Sequence, residues 1–110
     1  MEKFVKGDVV ILPFPYTDLS TIKKRPALVV AALKGNNIIL AQITTKERKD
    51  EDIIRLNKQD FASGNLEVNS NIMPSILFTS ECSSVSYRAG KIKQEKIKEV
   101  EKKLCEIFTR

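Results

Sequence analysis

The absence of histidine limits the chemistry that this chain can perform. Its 110 residues include no His and two cysteines, Cys82 and Cys105. Ser-His-Asp and Cys-His catalysis are therefore excluded, and so are a zinc finger and a zinc hydrolase, since zinc needs about four ligands. A reaction would have to use Arg, Lys, Ser, Thr, Tyr or carboxylate side chains. We expect no metal and no other cofactor, and two cysteines that remain thiols.

The excess of basic over acidic side chains lies in the N-terminal half of the chain. The net charge is +5; residues 1–50 hold nine basic and five acidic groups, whereas residues 51–110 hold ten and nine. A cationic lobe of this kind suits a polyanion such as RNA or DNA. The alternative is that the charge serves solubility alone. The basic residues of this lobe include Lys23, Lys24, Arg25, Lys34, Lys46, Arg48 and Lys49.

Length and composition predict one folded domain over residues 1–110. Hydrophobic residues make up 42% and charged residues 30% of the chain, which argues against disorder. No apolar run approaches the roughly 20 residues of a membrane span. The N-terminus also lacks the apolar region of a signal peptide. We therefore expect a cytoplasmic protein.

Short apolar runs bounded by turn residues predict the strands. Residues 9–12 form the first of them. Residues 26–32 and 38–44 are expected to form a β-hairpin around a turn at 34–37, in which the glycine and the asparagines supply positive φ. Asn57 is expected to cap a helical turn. The remaining predicted elements are strands at 53–56, 72–78 and within 85–92, and the helical turn at 58–62. Gly64 is expected to close the helical turn, and Pro74 to interrupt the 72–78 strand near its start.

From about residue 94 onward, apolar residues recur with a helical period. Ile97, Val100 and Leu104 share one face, and charged residues occupy the other. This pattern predicts an amphipathic C-terminal helix that packs on the sheet. Five or six short strands and one helix together indicate a small, mainly β (α+β) fold, built as a strongly bent antiparallel barrel.

Three segments carry a more specific pattern. They read Lys-Gly-Asp-Val-Val and Leu-Pro-Phe-Pro-Tyr-Thr-Asp-Leu within residues 6–19, Lys-Arg-Pro-Ala-Leu-Val-Val at 24–30, and Leu-Ala-Gln-Ile-Thr at 40–44. In this order, and followed by a helical C-terminus, they resemble the MazF/PemK family of toxin endoribonucleases, in its PemK-like branch. The resemblance covers nearly the whole chain.

The resemblance implies a fold, an activity and partners. The family fold is a compact SH3-like β-barrel, usually in a homodimer. The implied function is that of a type II toxin, which cleaves single-stranded mRNA at specific sequences without a metal and so inhibits translation and growth. The implied products carry a 2′,3′-cyclic phosphate and a 5′-hydroxyl. The implied protein partner is a cognate antitoxin.

Arg25 and Thr44 match the catalytic arginine and threonine of the family. RNA cleavage by a neighbouring 2′-OH requires a group that stabilises negative charge on the phosphate, and arginine has the planar donors for it. The predicted hairpin brings the start of one strand and the end of the next together, so the two residues should converge. Other interpretations remain open: a solvated charge for Arg25, a β-forming residue for Thr44, and a register in which Thr45 replaces Thr44.

Further residues are predicted to contact RNA. Glu81 is also a candidate for a proton role, since Arg25 is a poor general acid. Turn formation, packing or capping are the alternatives for several of them, and Asp8 is expected to stabilise a turn. The chain departs from the family at Ser83-Ser84, where many members have Arg-Thr. The predicted RNA contacts are Tyr16, Thr17 and Asp18 in the first loop, with Lys23, Lys24, Thr45, Ser75 and Glu81.

Two other functions fit the same architecture. One is a nucleic-acid-binding barrel without catalysis, although only Phe14 and Tyr16 lie near the basic lobe as stacking aromatics. The other is a gyrase-poisoning toxin that acts by binding a protein, for which Arg25 and Thr44 would be dispensable. Cleavage of a defined RNA in the presence of EDTA distinguishes the endoribonuclease from both.

Overall fold

The computed structural model describes residues 3–14, 23–46 and 49–110. In this part of the chain it contains seven strands, two 3-10 turns at Lys58–Asp60 and Cys82–Ser84, and one α-helix. The strands are β1 (Asp8–Pro13), β2 (Lys24–Ala32), β3 (Asn37–Thr44), β4 (Ile54–Leu56), β5 (Phe61–Gly64), β6 (Ser70–Glu81) and β7 (Tyr87–Ile92), and helix α1 spans Gln94–Thr109.

The seven strands form one antiparallel sheet in the order β4-β6-β3-β2-β1-β7-β5. The two edge strands, β4 and β5, follow each other in the chain and are joined by residues 57–60. The sheet must therefore curl until its edges approach each other, and it forms a half-barrel. The predicted mainly β fold with a C-terminal helix is confirmed.

The predicted hairpin of β2 and β3 is present. Ala32 pairs with Ile38, and the ladder runs to Ala27 and Gln42, with a bulge between Val29 and Ala31. Of the turn residues, only Gly35 has a positive φ, at 83°. The expectation that the neighbouring asparagines would share this conformation is therefore wrong.

Strand β6 is longer than predicted because a bulge accommodates its proline. Ala41 pairs with Leu77, but the next residue, Gln42, pairs with Met73. Residues 74–76 are therefore left out of the ladder, and Pro74, which has no N–H to donate, lies where none is needed. The strand continues on both sides of this bulge.

The helical turn predicted at 58–62 is half wrong. A 3-10 turn covers Lys58–Asp60, and the Asp60 carboxylate accepts a hydrogen bond from the Asn57 N–H at 2.7 Å. The chain then enters β5, which pairs with β7. Gly64 does not end a helix: it has a φ of 65°, and a Cβ there would overlap the Ala89 carbonyl oxygen. Glycine at this position lets the backbones of β5 and β7 approach each other closely.

Alternating strand residues build an apolar cluster on each face of the sheet. The first face carries Val9, Leu28, Ile43 and Ile72, which pack with Ile97 and Val100 of α1. This contact confirms the predicted packing of the helix on the sheet. The second face carries the second cluster, whose buried members are Phe4, Val10, Leu12, Phe14, Ala27, Val29, Ile38, Leu40 and Cys82.

Asp8 joins the start of β1 to β7. Its carboxylate accepts a hydrogen bond from the Val5 N–H at 2.9 Å and lies 3.3 Å from Arg88 Nε and 3.7 Å from Lys91 Nζ. Only 2% of the residue is exposed. These contacts support the turn-stabilising role expected for Asp8. Among the described residues, no helix is long and apolar enough to cross a membrane.

Candidate active site

Three polar residues from neighbouring strands lie side by side at one end of the sheet. Thr44, the last residue of β3, pairs with Asn71 of β6, and Asn71 pairs on its other side with Arg55 of β4. Side chains directly opposite each other in antiparallel strands project from the same face. Thr44, Asn71 and Arg55 therefore share one face of the sheet.

Arg25 extends this arrangement on β2. The β2–β3 ladder ends where Ala27 pairs with Gln42, and the same register continued by two residues places Arg25 opposite Thr44. We call Arg25, Thr44, Asn71 and Arg55 the polar row. Adjacent strands are about 4.8 Å apart, so this continued register would make Arg25 and Thr44 neighbours, although they are 19 positions apart in the sequence.

The polar row borders the second apolar cluster. On β1, Leu12 pairs with Arg25 and is buried in this cluster, as is Ala27 two residues along β2. The intervening residues Ile43 and Ile72 contribute to the first cluster on the opposite face. Because the apolar residues fix which face each strand presents, they also fix the face from which the polar row projects.

The polar row carries positive charge that the described residues do not neutralise. Arg25 is half-buried and Arg55 is exposed, and neither guanidinium forms an ion pair or hydrogen bond with a described residue. Lys23 and Lys24 precede Arg25, are exposed and likewise form no ion pair within the described part of the chain. A surface with this positive charge attracts a polyanion.

The Thr44 hydroxyl is held by a turn that follows it. The Lys46 N–H donates a hydrogen bond to Thr44 Oγ1 at 3.2 Å. The side-chain amide of Asn71 donates to the carbonyl oxygen of Lys46 at 3.3 Å. Because Oγ1 accepts in this arrangement, the hydroxyl hydrogen of Thr44 is left to donate to another group. Thr45, the alternative to Thr44, lies inside the turn and is exposed.

Ser75 lies in the bulge of β6 and not in the polar row. Its hydroxyl donates to Asp50 Oδ2 at 3.1 Å, and Asp50 Oδ1 accepts from the Asp52 N–H at 2.9 Å. Asp52 in turn accepts from Arg110 at 2.7 Å, and this hydrogen bond and the charge of Asp52 raise the pKa of Arg110. Ser75 thus helps to fix the segment between β3 and β4.

Glu81 is at the opposite end of β3. It pairs with Asn37, the first residue of that strand, whereas Thr44 is the last, so roughly 20 Å of strand separate them. Its carboxylate accepts a hydrogen bond from the Ser83 hydroxyl at 3.2 Å. The structure does not bring Glu81 to Arg25 and Thr44. Tyr16, Thr17 and Asp18 lie outside the described residues.

Asn71 and Arg55 are the members of the polar row that the sequence did not indicate. Neither belongs to a recognisable motif, and they are 27 and 11 residues from Thr44. Their place depends on the register of β6 with two strands that do not precede it directly. Only knowledge of that register could have identified them. Within the described ranges, no three acidic or cysteine side chains are grouped so that they could hold a metal ion.

Comparison with known proteins gives a family match and several similar structures. Residues 5–108 match the family model described as "PemK-like, MazF-like toxin of type II toxin-antitoxin system". No curated protein matches the sequence.

The fold is similar to that of several solved structures. One is an endoribonuclease in complex with its cognate antitoxin from a mycobacterial species, with 12% identity, a TM-score of 0.75 and coverage of 94% of this chain and 93% of that one. Another is the Mycobacterium tuberculosis toxin MazF-mt6, with 17% identity, a TM-score of 0.71 and coverage of 92% and 95%. A third is MazF from Deinococcus radiodurans, with 17% identity, a TM-score of 0.75 and full coverage of both chains.

Proposed function

Since the chain belongs to the PemK-like, MazF-like toxin family of type II toxin–antitoxin systems, we propose that it is an endoribonuclease that cleaves single-stranded mRNA at specific sequences. Cleavage of mRNA would inhibit translation and growth. Solved proteins with the same fold are named endoribonucleases. The observation that supports the proposal is the polar row, in which the β2–β3 register, continued by two residues, would bring a half-buried arginine beside a threonine hydroxyl.

The proposed reaction is an internal transesterification. The 2′-oxygen bonds to phosphorus and loses its proton, while the bond from phosphorus to the 5′-oxygen breaks and that oxygen gains a proton. The products are a 2′,3′-cyclic phosphate and a 5′-hydroxyl. The phosphate gains negative charge in the transition state, and fixed donors aimed at that charge accelerate the step.

Arg25 and Thr44 supply these donors in our proposal. No described residue forms an ion pair with the Arg25 guanidinium, whose planar donors suit phosphate oxygens. The Thr44 hydroxyl can donate to the same phosphate because its oxygen already accepts from Lys46. Glu81 pairs with the first residue of β3, whereas Thr44 is the last, so Glu81 is too far from Thr44 to transfer a proton at this phosphate.

RNA cleavage by the purified protein is expected to persist in EDTA. The sequence has no His, and the proposed donors are an arginine and a threonine, which need no metal to act on phosphate. The measurement is incubation with a long defined RNA in EDTA and in Mg²⁺, followed by mapping of the cut ends. Cleavage that disappears with chelator and returns with Mg²⁺ would contradict this mechanism, and 5′-phosphate ends would contradict the proposed transesterification.

Arg55→Ala is expected to weaken RNA binding without abolishing cleavage. Arg55 lies about 14 Å from Arg25, three strand spacings away, which suits a different phosphate of the same RNA. We expect KM to rise several-fold, the maximal rate to change little, and the slope of log KM against log salt to fall by about 0.7. Lys34→Ala is the matched control, since it removes one exposed charge at the far hairpin turn. Equal effects of the two substitutions would remove Arg55 from the binding surface.

We also propose a homodimer and a cognate antitoxin as partners. The family is described as a toxin of type II toxin-antitoxin systems, and one similar solved protein is an endoribonuclease in complex with its cognate antitoxin. A two-fold dimer would join two copies of the polar row into a longer surface for RNA. Sedimentation velocity at micromolar concentration is expected to give twice the 12.4 kDa of one chain. A stable monomer would contradict the dimer.

Two further functions are outcomes of the same cleavage assay. RNA that is bound but left intact would favour a binding barrel without catalysis. No interaction with RNA, together with inhibition of DNA gyrase, would favour a toxin that acts on a protein. We prefer the endoribonuclease because the β2–β3 register, continued by two residues, would bring Arg25 opposite Thr44, which neither alternative requires.

A further inference from the structure

We propose that Asn71 is a positioning residue that fixes the Thr44 hydroxyl through the backbone of Lys46. Its catalytic consequence rests on the proposed function. The Asn71 amide donates to the Lys46 carbonyl oxygen at 3.3 Å, and the N–H of the same Lys46 donates to Thr44 Oγ1 at 3.2 Å. One side chain thus holds the turn that orients the Thr44 hydroxyl.

Asn71 is itself held firmly. It is 8% exposed and pairs with β3 on one side and β4 on the other. Its two neighbours in the polar row, Thr44 and Arg55, are more exposed. A buried side chain on a strand paired on both edges has little freedom, so it is a rigid point from which to fix a turn.

The choice of residue at position 71 also points to a specific contact. Asparagine is disfavoured in strands, and a buried amide costs free energy unless it is hydrogen-bonded. A β-branched residue would suit the strand better if sheet formation were the only requirement. The Lys46 carbonyl supplies the hydrogen-bond partner that an apolar residue could not use.

The consequence for Thr44 follows from the direction of each hydrogen bond. While Lys46 N–H donates to Oγ1, the hydroxyl hydrogen projects away from the turn and can meet a phosphate oxygen. Without Asn71, the Lys46 carbonyl is released, the turn loosens, and the hydroxyl samples other rotamers. A displacement of about 1 Å in such a group can reduce a rate by up to about 100-fold.

The test compares Asn71→Ala with Ser70→Ala. Ser70 is the adjacent residue of β6, is 6% exposed, and makes one hydrogen bond, to the Val68 carbonyl oxygen. The Ser70→Ala variant therefore loses a comparable polar contact on the other face of the strand, and this contact does not involve Thr44 or Lys46. We expect Asn71→Ala to lower the single-turnover rate about 10-fold with KM within about two-fold, and Ser70→Ala to leave both unchanged at temperatures below melting.

A second comparison asks whether Asn71 acts through Thr44. In a Thr44→Val background, Asn71→Ala is expected to lower the remaining rate less than two-fold, because the hydroxyl that it positions is gone. Full additivity of the two substitutions would overturn the proposal. The substrate for all variants is an oligonucleotide that contains a cut site mapped with the wild-type protein.

A measurement without RNA separates this inference from the proposed function. By ¹⁵N relaxation, the order parameters of Thr45 and Lys46 are expected to fall from about 0.85 to below 0.6 in Asn71→Ala, and to stay unchanged in Ser70→Ala. Unchanged values in Asn71→Ala would overturn the positioning role. If the values fall but the wild-type protein cleaves no RNA, the proposed function fails while the positioning of the hydroxyl stands.

Asn71→Asp provides the same test if the alanine variant does not fold. The aspartate has nearly the same shape, but its ionised carboxylate only accepts hydrogen bonds and cannot donate to the Lys46 carbonyl. We expect the same fall in the Thr45 and Lys46 order parameters and at least the same fall in rate. A fully active Asn71→Asp protein would overturn the proposal.

Discussion

Arg25→Ala is expected to lower the single-turnover rate of RNA cleavage by about 100- to 1000-fold, or roughly 3–4 kcal/mol in activation free energy. The substitution removes the cation that we place against the phosphate in its transition state. The effect should fall on the rate more than on KM, because the charge on the phosphate increases as the reaction proceeds. Cleavage of a fluorogenic RNA with enzyme in excess measures it.

The loss should not arise from unfolding. Arg25 is half-buried and makes no ion pair with a described residue, so its removal leaves no buried partner without a hydrogen bond. We expect the melting temperature to change little, since surface substitutions of this kind usually alter stability by less than about 0.5 kcal/mol. Near wild-type cleavage by the folded variant would remove Arg25 from the mechanism.

Two further variants give this prediction its specificity. Arg25→Lys retains the charge but not the planar pair of donors, so we expect it to recover little of the lost rate. Lys34→Ala removes an exposed positive charge from the hairpin turn at the other end of β2 and β3, and turnover should be almost unchanged. Equal losses in Arg25→Ala and Lys34→Ala would indicate a general effect of charge and not a positioned donor.

The parts of the fold that could be predicted are those with local signals. The β2–β3 hairpin follows from two apolar runs and one glycine, Gly35, whose positive φ the turn requires. The C-terminal helix follows from the spacing of Ile97 and Val100. Both elements are determined by residues that are close to each other in the sequence, so the sequence contains their pattern directly.

The parts that could not be predicted depend on distant strands. The segment Phe61–Gly64 overlaps the predicted helical turn, and only its pairing with β7 identifies it as a strand. Pro74 indicated an interruption, whereas a three-residue bulge against β3 lets the strand continue. The alternation of side chains is the same in every register, so the sequence of one strand does not specify its partner.

The candidate site divides in the same way. Arg25 and Thr44 could be paired because one hairpin contains the strands of both. Asn71 and Arg55 could not be added without the register of β6. Nothing in the local sequence around Glu81 shows how far β6 extends along β3, so its distance from Thr44 could not be predicted either. A motif identifies residues along the chain, whereas the sheet decides which of them meet.

Thr44→Val is expected to reduce the single-turnover rate by roughly 10- to 150-fold, the range that corresponds to the loss of one hydrogen bond to a charged group, about 1.5–3 kcal/mol. Valine keeps the branched shape and the β-propensity of threonine, so β3 should form as before. It removes the donor to the phosphate and also the oxygen that accepts from Lys46. Thr45→Val is the control for the alternative register, since that neighbour is exposed, and a larger loss there than in Thr44→Val would transfer the role to Thr45.

The double variant Arg25→Ala with Thr44→Val tests whether the two side chains act on one phosphate. If both stabilise the same developing charge, the second substitution removes less than it does alone, because the geometry that it served is already lost. The expected fall for the pair is therefore smaller than the product of the two single effects. Melting curves of all three variants establish that the protein is folded. A fall equal to that product would show that Arg25 and Thr44 act independently, for example on different phosphates.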